Sequence, residues 1–173
     1  AQTAFIPELF DADYLESLEF GFKSTLADGK LILNGAAYFM DWNDYQSTQY
    51  NLAYSTVSFV DNVGNAEING IEIDATYKVD DTLTLNAFVI SNDPTLSEDY
   101  FDVSGVLQAS SGNRLAYVPE TSYVLSLDKV FEIMGRPSYF NLDYSYTGDR
   151  YDSQANTVTL PEYSIGNIRL GVE

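Results

Sequence analysis

Residues 18–42 read LEFGFKSTLADGKLILNGAAYFMDW. Leu18, Phe20 and Phe22 alternate with Glu19, Gly21 and Lys23. After Ala27-Asp28-Gly29, Leu31, Leu33, Ala37 and Phe39 alternate with Lys30, Asn34, Ala36 and Tyr38. Successive side chains of a strand point to opposite faces, so a period of two gives each strand one apolar and one polar face. An Asp-Gly pair between two such runs predicts a tight hairpin, because glycine takes positive φ without strain. Each apolar face runs for roughly ten residues, about the length that crosses a bilayer when tilted. Apolar outside and polar inside is the arrangement a barrel in lipid needs, whether water-filled or plugged by protein.

The same pattern extends along the chain. Residues 1–16 read as an acidic loop around Pro7 and Glu8, with a short helix over Ala12–Leu18 as the alternative. Strand one is expected over Glu16–Leu26 and strand two over Lys30–Ser47, the latter projecting past the bilayer through Asp41-Trp42-Asn43-Asp44-Tyr45-Gln46. Gln49–Ser58 reads as a polar, tyrosine-rich loop tip. Strand three is expected from Val57 to Val79, with turn or bulge chemistry at Asp61–Asn65 in its middle. Asp80-Asp81 makes a second tight turn into a strand with Leu83, Leu85, Ala87 and Val89. Asn92–Asn113 is a long polar connection, of the kind that is functional or mobile in compact domains. A fifth strand follows Pro119, Lys129–Pro137 forms a third turn, and Phe140, Leu142, Tyr144 and Tyr146 mark a sixth strand. After a loop over Gly148–Thr159, a seventh strand carries Ile168, Leu170 and Val172. Short turns on one rim and long loops on the other imply an all-β, antiparallel up-and-down meander of about seven long strands, part of a larger transmembrane β-barrel.

Composition narrows the function. The chain has 173 residues, a net charge of −18 and 45% hydrophobic residues, so it has material for a core and is not an acidic disordered tail. A nucleic-acid partner needs a basic stripe, and this charge balance argues against one, as it does against a polybasic lipid anchor. The absence of cysteine and histidine removes disulfides, thiolate chemistry, a Ser-His-Asp triad and the commonest metal ligands. No run of 18 apolar residues marks a transmembrane helix, and Ala1–Pro7 does not read as a signal peptide. No enzyme activity, catalytic residue, metal or cofactor is expected.

The order of several segments resembles the C-terminal half of the barrel of TonB-dependent outer-membrane receptors. Pro7-Glu8 precedes Leu18-Glu19-Phe20-Gly21-Phe22-Lys23-Ser24. Leu31–Asn34 leads to Tyr38-Phe39, Asp41-Trp42 and Asp44-Tyr45-Gln46. Asp61–Glu67 runs into Asn69-Gly70-Ile71-Glu72, and Gly112-Asn113-Arg114-Leu115 is followed by Pro119-Glu120 and by Asn167-Ile168-Arg169-Leu170-Gly171. The resemblance implies a bacterial outer-membrane location and a barrel of about 22 strands. It also implies an N-terminal plug, a TonB box contacting TonB through the missing N-terminal region, and uptake of a small-molecule nutrient such as a siderophore, cobalamin or oligosaccharide. The chain departs from that pattern: plug and TonB-contacting segment are absent, seven strands cannot close such a barrel, and the last residue is Glu173 where the family usually ends in an aromatic. Residues 1–173 are therefore read as an internal, partial barrel domain with further strands on both sides. A small soluble barrel or sandwich that binds a ligand is the alternative, and would need the apolar rows to point inward. A complete small membrane barrel is disfavoured by the odd strand count.

Within this frame Phe20, Leu33, Ile71, Leu85, Leu127 and Leu142 are expected to face lipid. Trp42, Asp44, Tyr45, Asp99 and Tyr100 are the candidate substrate-binding residues at the extracellular rim. For Asp41–Asp44, an interfacial tryptophan among solvated acids is the preferred reading over ligand contact. Asp93, Glu98, Asp99 and Asp102 offer oxygen ligands to calcium but lack the spacing of a calcium loop. Glu72 and Asp74 could be mistaken for a glycosidase pair, yet in a barrel wall they face water or a plug. Gly64–Gly70 lacks the lysine and the strand-to-helix context of a phosphate loop.

Overall fold

The computed structural model describes residues 9–50, 58–102 and 105–172. Seven long strands, β1 (Tyr14–Leu26), β2 (Leu31–Asn43), β3 (Ala66–Asp80), β4 (Leu83–Leu96), β5 (Thr121–Ile133), β6 (Arg136–Thr147) and β7 (Tyr163–Val172), form one antiparallel sheet in chain order. The connections β1–β2, β3–β4 and β5–β6 are tight. The other three each carry a small two-stranded ribbon: Gln46–Tyr50 with Ser58–Asn62, Tyr100–Phe101 with Leu107–Ala109, and Arg150–Tyr151 with Thr159–Leu160. All three ribbons therefore stand on one rim, and all three tight turns on the other.

Register explains why the two faces differ. Leu26, Leu31, Tyr77, Leu85, Leu127, Leu142 and Ile168 are consecutive cross-strand partners, one apolar row across all seven strands. Phe20, Ala37 and Ile71 form a second row on that face, and Leu33 lies between the two. The six residues expected to face lipid thus share one face. It is open: Phe20 is 64% and Ile168 69% exposed. No second layer covers it among the described residues, so the inward-packed apolar rows of a soluble sandwich are not found. The opposite face carries a hydrogen-bonded ladder. Thr76 Oγ1 donates to Asn86 Oδ1 (3.0 Å), and the amides of Asn86 and Asn141 donate to the two Asp128 carboxylate oxygens (3.2 and 2.5 Å).

Several local expectations shift. Tyr14 already pairs with Asn43, so Ala12–Leu18 enters a strand rather than a helix. β2 stops at Asn43 because Asp44 takes φ +52°, which turns the chain into the first ribbon. The expected third strand divides: Ser58–Asn62 belongs to that ribbon, and of the expected bulge over Asp61–Asn65 the residues Val63, Gly64 and Asn65 turn the chain into β3. The third turn contracts from Lys129–Pro137 to Met134-Gly135, both at positive φ (52° and 76°), between the paired Ile133 and Arg136. Most of the loop tip expected over Gln49–Ser58 lies outside the described residues.

The buried core sits at the ribbon rim. Val63, Ala66, Leu96 and Leu115 are at most 1% exposed, and Trp42, Tyr45 and Ile68 pack against this cluster. Trp42, Ala66 and Leu96 are cross-strand partners on the polar face. The long connections thus fold over that face and bury its apolar upper end.

A candidate ligand-binding rim

The rim is built on the upper end of β4. Its pairing with β5 ends at Ser91–Thr121. Above that point residues 112–115 take the place of β5. The Leu96 amide donates to Asn113 O, Gly112 to Leu96 O and Leu115 to Pro94 O, each at 2.8 Å. This pins Leu115 against Leu96 and Val63. On the other side, the Tyr45 amide donates to Gly64 O (2.7 Å) and the Val63 amide to Tyr45 O (2.8 Å), closing the base of the first ribbon.

The β6–β7 connection locks onto both. Asn156 Oδ1 accepts from the Arg114 amide (2.7 Å), and its Nδ2 donates back to Arg114 O (2.8 Å). Gln154, 5% exposed, accepts from the Ala116 amide through Oε1 (3.2 Å). Its Nε2 donates to the Tyr45 hydroxyl (3.2 Å) and to Ser47 Oγ (3.3 Å). One buried amide therefore ties three connections together, and every contact it makes replaces one with water. Arg114 adds a charged tie. Its guanidinium pairs with Asp149 (2.7 Å) and Glu120 (3.3 Å) and lies 4.6 Å from the Tyr151 ring centre. The hydrogen bond from Arg114 holds the Asp149 carboxyl below its ordinary pKa, against a smaller effect of burial.

The candidate residues fall into two groups. Trp42 donates from Nε1 to Asp13 Oδ2 (2.9 Å) and meets the Tyr45 ring edge-on at 4.5 Å. The Asp44 backbone is clamped, its amide donating to Asn65 Oδ1 (3.0 Å) and its carbonyl accepting from Asn62 Nδ2 (2.6 Å). Asp99 Oδ1 accepts from the Ser111 amide (2.8 Å). These three hold the rim in shape. Tyr45 and Tyr100 instead reach a shared open cavity of about 530 Å³, which Gln108, Tyr117 and Asp152 also line. The Tyr100 hydroxyl donates to Asp61 Oδ2 (3.0 Å), and burial together with the Asp61 charge raises its pKa far above that of free tyrosine. Tyr100 therefore stays a neutral donor at any physiological pH.

Among the described residues, Asp93, Glu98, Asp99 and Asp102 do not gather into a cation cage. Glu98 Oε1 accepts from the Asn65 amide (2.8 Å), and Asp102 Oδ1 from the Val106 amide (3.0 Å). Both carboxylates shape loops. Sequence reasoning missed Gln154, Asn156 and Tyr117. Arg114 entered the sequence reading only as part of Gly112-Asn113-Arg114-Leu115 in the family resemblance, and nothing local points to Gln154.

The profile of the family described as "TonB dependent receptor-like, beta-barrel" matches residues 4–172. The chain belongs to this family. Its place is the bacterial outer membrane, with the apolar face against lipid. Similar solved structures include the ferric yersiniabactin uptake receptor FyuA from Yersinia pestis (TM-score 0.68, 16% identity, 91% of this chain and 22% of that one). The siderophore receptor PiuA from Acinetobacter baumannii gives TM-score 0.67 and 19% identity over 89% of this chain and 21% of that one. The FrpB iron transporter from Neisseria meningitidis gives 0.62 and 17% over 94% and 25%. At these identities the likeness is one of fold, and the chain spans 21–25% of the length of those receptors. No curated protein sequence matches it.

Proposed function

We propose that the chain is part of a TonB-dependent receptor that captures a scarce nutrient at the cell surface and imports it, acting as a transporter and not as an enzyme. The observation that carries this reading is the interlocking of three long connections around one cavity above the polar face. In this reading residues 1–173 are a partial barrel domain, completed by further strands and an N-terminal plug, and TonB supplies energy from the periplasmic side. A siderophore, a cobalamin or an oligosaccharide would be the cargo. Tyr45 and Tyr100 would touch it, while Trp42, Asp44 and Asp99 hold the frame.

Nutrient-limited growth tests this. Deleting the full-length receptor gene, or tonB alone, should abolish growth on the same limiting nutrient across a panel of iron chelates, cobalamin and oligosaccharides. A receptor deletion that changes growth on none of them, or a growth defect that persists unchanged without TonB, would overturn the reading.

A further inference from the structure

The cavity between Tyr45, Tyr100 and Tyr117 has a chemistry that separates those three cargo classes. Among the described residues, no lysine or arginine lines it, and the one charged lining residue is Asp152. Cations are scarce at this rim. Of the eight in the chain, Lys30, Lys78, Lys129 and Arg136 lie in or beside the tight turns, and Lys23 and Arg169 lie on the wall. The remaining two lie outside the cavity lining: Arg114, engaged by Asp149 and Glu120, and Arg150, which stacks over Tyr163 at 5.4 Å with its buried Nη1 left without a hydrogen-bond partner among the described residues. The first two rim connections carry the acids Asp61, Glu98, Asp99 and Asp102. A cleft with one sign of charge repels ligands of that sign, so the described lining disfavours an anionic ferric chelate.

The uncharged lining is suited to hydroxyl groups. Gln46 Nε2 donates to Asp11 O (3.0 Å) and Asp13 Oδ1 (3.3 Å), and Gln108 Nε2 to Asp102 Oδ2 (2.9 Å) and Val106 O (3.4 Å), which uses both N–H groups of each amide. The group each has to offer a ligand is its acceptor oxygen, which matches a ligand rich in O–H donors. Tyr117 supplies an aromatic surface. It is 61% exposed and holds φ +65°, fixed by its amide donating to Tyr151 O at 2.8 Å. A bulky side chain at positive φ is strained, and such strain persists at sites where placement of the side chain matters. Tyrosine offers a rigid apolar face with a polar tip.

We propose that this cavity binds an uncharged polyhydroxylated ligand, the chemistry of a short glycan, with Tyr117 as its aromatic platform. The proposal rests on the receptor reading above and narrows its cargo.

The test uses the full-length receptor in detergent. The probes are neutral hexasaccharides (maltohexaose, cellohexaose, xylohexaose and mannohexaose), the anionic ferric tris-catecholate complex and the cationic ferrioxamine B. Binding of at least one hexasaccharide is expected, with affinity that changes less than twofold between low and high salt. Tyr117→Gly should weaken that binding at least tenfold while its melting temperature stays equal or rises, because glycine relieves the strain. Tyr117→Phe should keep binding within about threefold, because the ring surface remains. Binding of either ferric chelate with no hexasaccharide bound overturns the glycan assignment and leaves the receptor reading standing. No binding of any probe overturns the glycan assignment, and the growth panel then decides the receptor reading separately. Unchanged hexasaccharide binding by Tyr117→Gly overturns the platform.

Discussion

The Gln154 side chain donates to the Tyr45 hydroxyl at 3.2 Å, across 109 residues of sequence. Tyr45 follows β2 and Gln154 follows β6, so this one bond spans the tops of the strands between them. The rim is therefore a single unit, in which the first ribbon, residues 112–118 and the last connection move together or not at all.

Gln154→Leu removes both halves of that link. It leaves the half-buried Ala116 amide and Tyr45 hydroxyl without this partner, at up to about 1–3 kcal/mol for a group that water does not reach and less where the open cavity lets water in. The wall does not depend on Gln154, so the loss should be local. Hydrogen exchange should rise over residues 112–118 and 44–48 in the full-length receptor, with β5 and β6 unchanged. Exchange unchanged in both loops would mean that the backbone pairs to Pro94 and Leu96 hold the rim unaided.

The Arg114–Asp149 pair gives the rim a pH dependence of defined sign. The Asp149 carboxyl is held below its ordinary pKa by the hydrogen bond from Arg114. Its contribution is full above the unfolded value of about 3.9. It is lost as pH falls through the lower folded value. Protection of residues 112–120, corrected for intrinsic exchange rates, should hold from neutral pH down to about 4 and drop below that. In Asp149→Asn the drop from this source should disappear, with protection lower at every pH above it. A pH profile identical in the variant would assign the acid sensitivity to other carboxylates.

What the sequence makes legible is what repeats locally. The row through Leu85, Leu127 and Leu142 follows from a period of two within each strand, and chain order supplies the rest, because hairpins place successive strands side by side. Asp61–Asn65 was visible as turn chemistry, but a bulge inside a strand and a turn between two strands use the same residues. The rim was the least legible part. Asp44 and Asp99 attract notice as rim acids; the Asp44 backbone is held by Asn65 and the Asp99 carboxylate caps the Ser111 amide, whereas Gln154 acts through partners whose positions no local pattern encodes. Tyr117 shows nothing in sequence either, since its signal is a backbone angle that tyrosine rarely adopts.

Gly70 faces its cross-strand partner Tyr38 on the polar face. The Tyr38 ring lies over Gly70 so closely that an added Cβ would collide with it, and Tyr38 is only 7% exposed. Phe22 over Gly35 and Tyr139 over Gly171 repeat the arrangement at two other strand pairs. The ring replaces the side chain that glycine lacks and shields its backbone. Gly70→Ala should force Tyr38 off its rotamer at about 1–3 kcal/mol. The double change Gly70→Ala with Tyr38→Ala should recover part of that loss, measured as urea resistance of the folded barrel. A double variant no better than Gly70→Ala alone would show that the space is restricted by the backbone and not by the ring.

Leu85 tests the assignment of the two faces. It lies between Tyr77 and Leu127 in the apolar row, on the face that lipid covers. An arginine there would cost roughly 2–4 kcal/mol at the bilayer midplane, where neither water nor a counter-charge is at hand. Ser126, one position along from Leu127, points to the polar face and pairs across to Asp143. Ser126→Arg places the same guanidinium beside a carboxylate and water. Leu85→Arg in the full-length receptor should therefore reduce the heat-modifiable folded band in outer membranes, while Ser126→Arg should leave it near the unsubstituted level. Equal insertion of Leu85→Arg and the unsubstituted receptor, with loss confined to Ser126→Arg, would reverse which face meets the membrane.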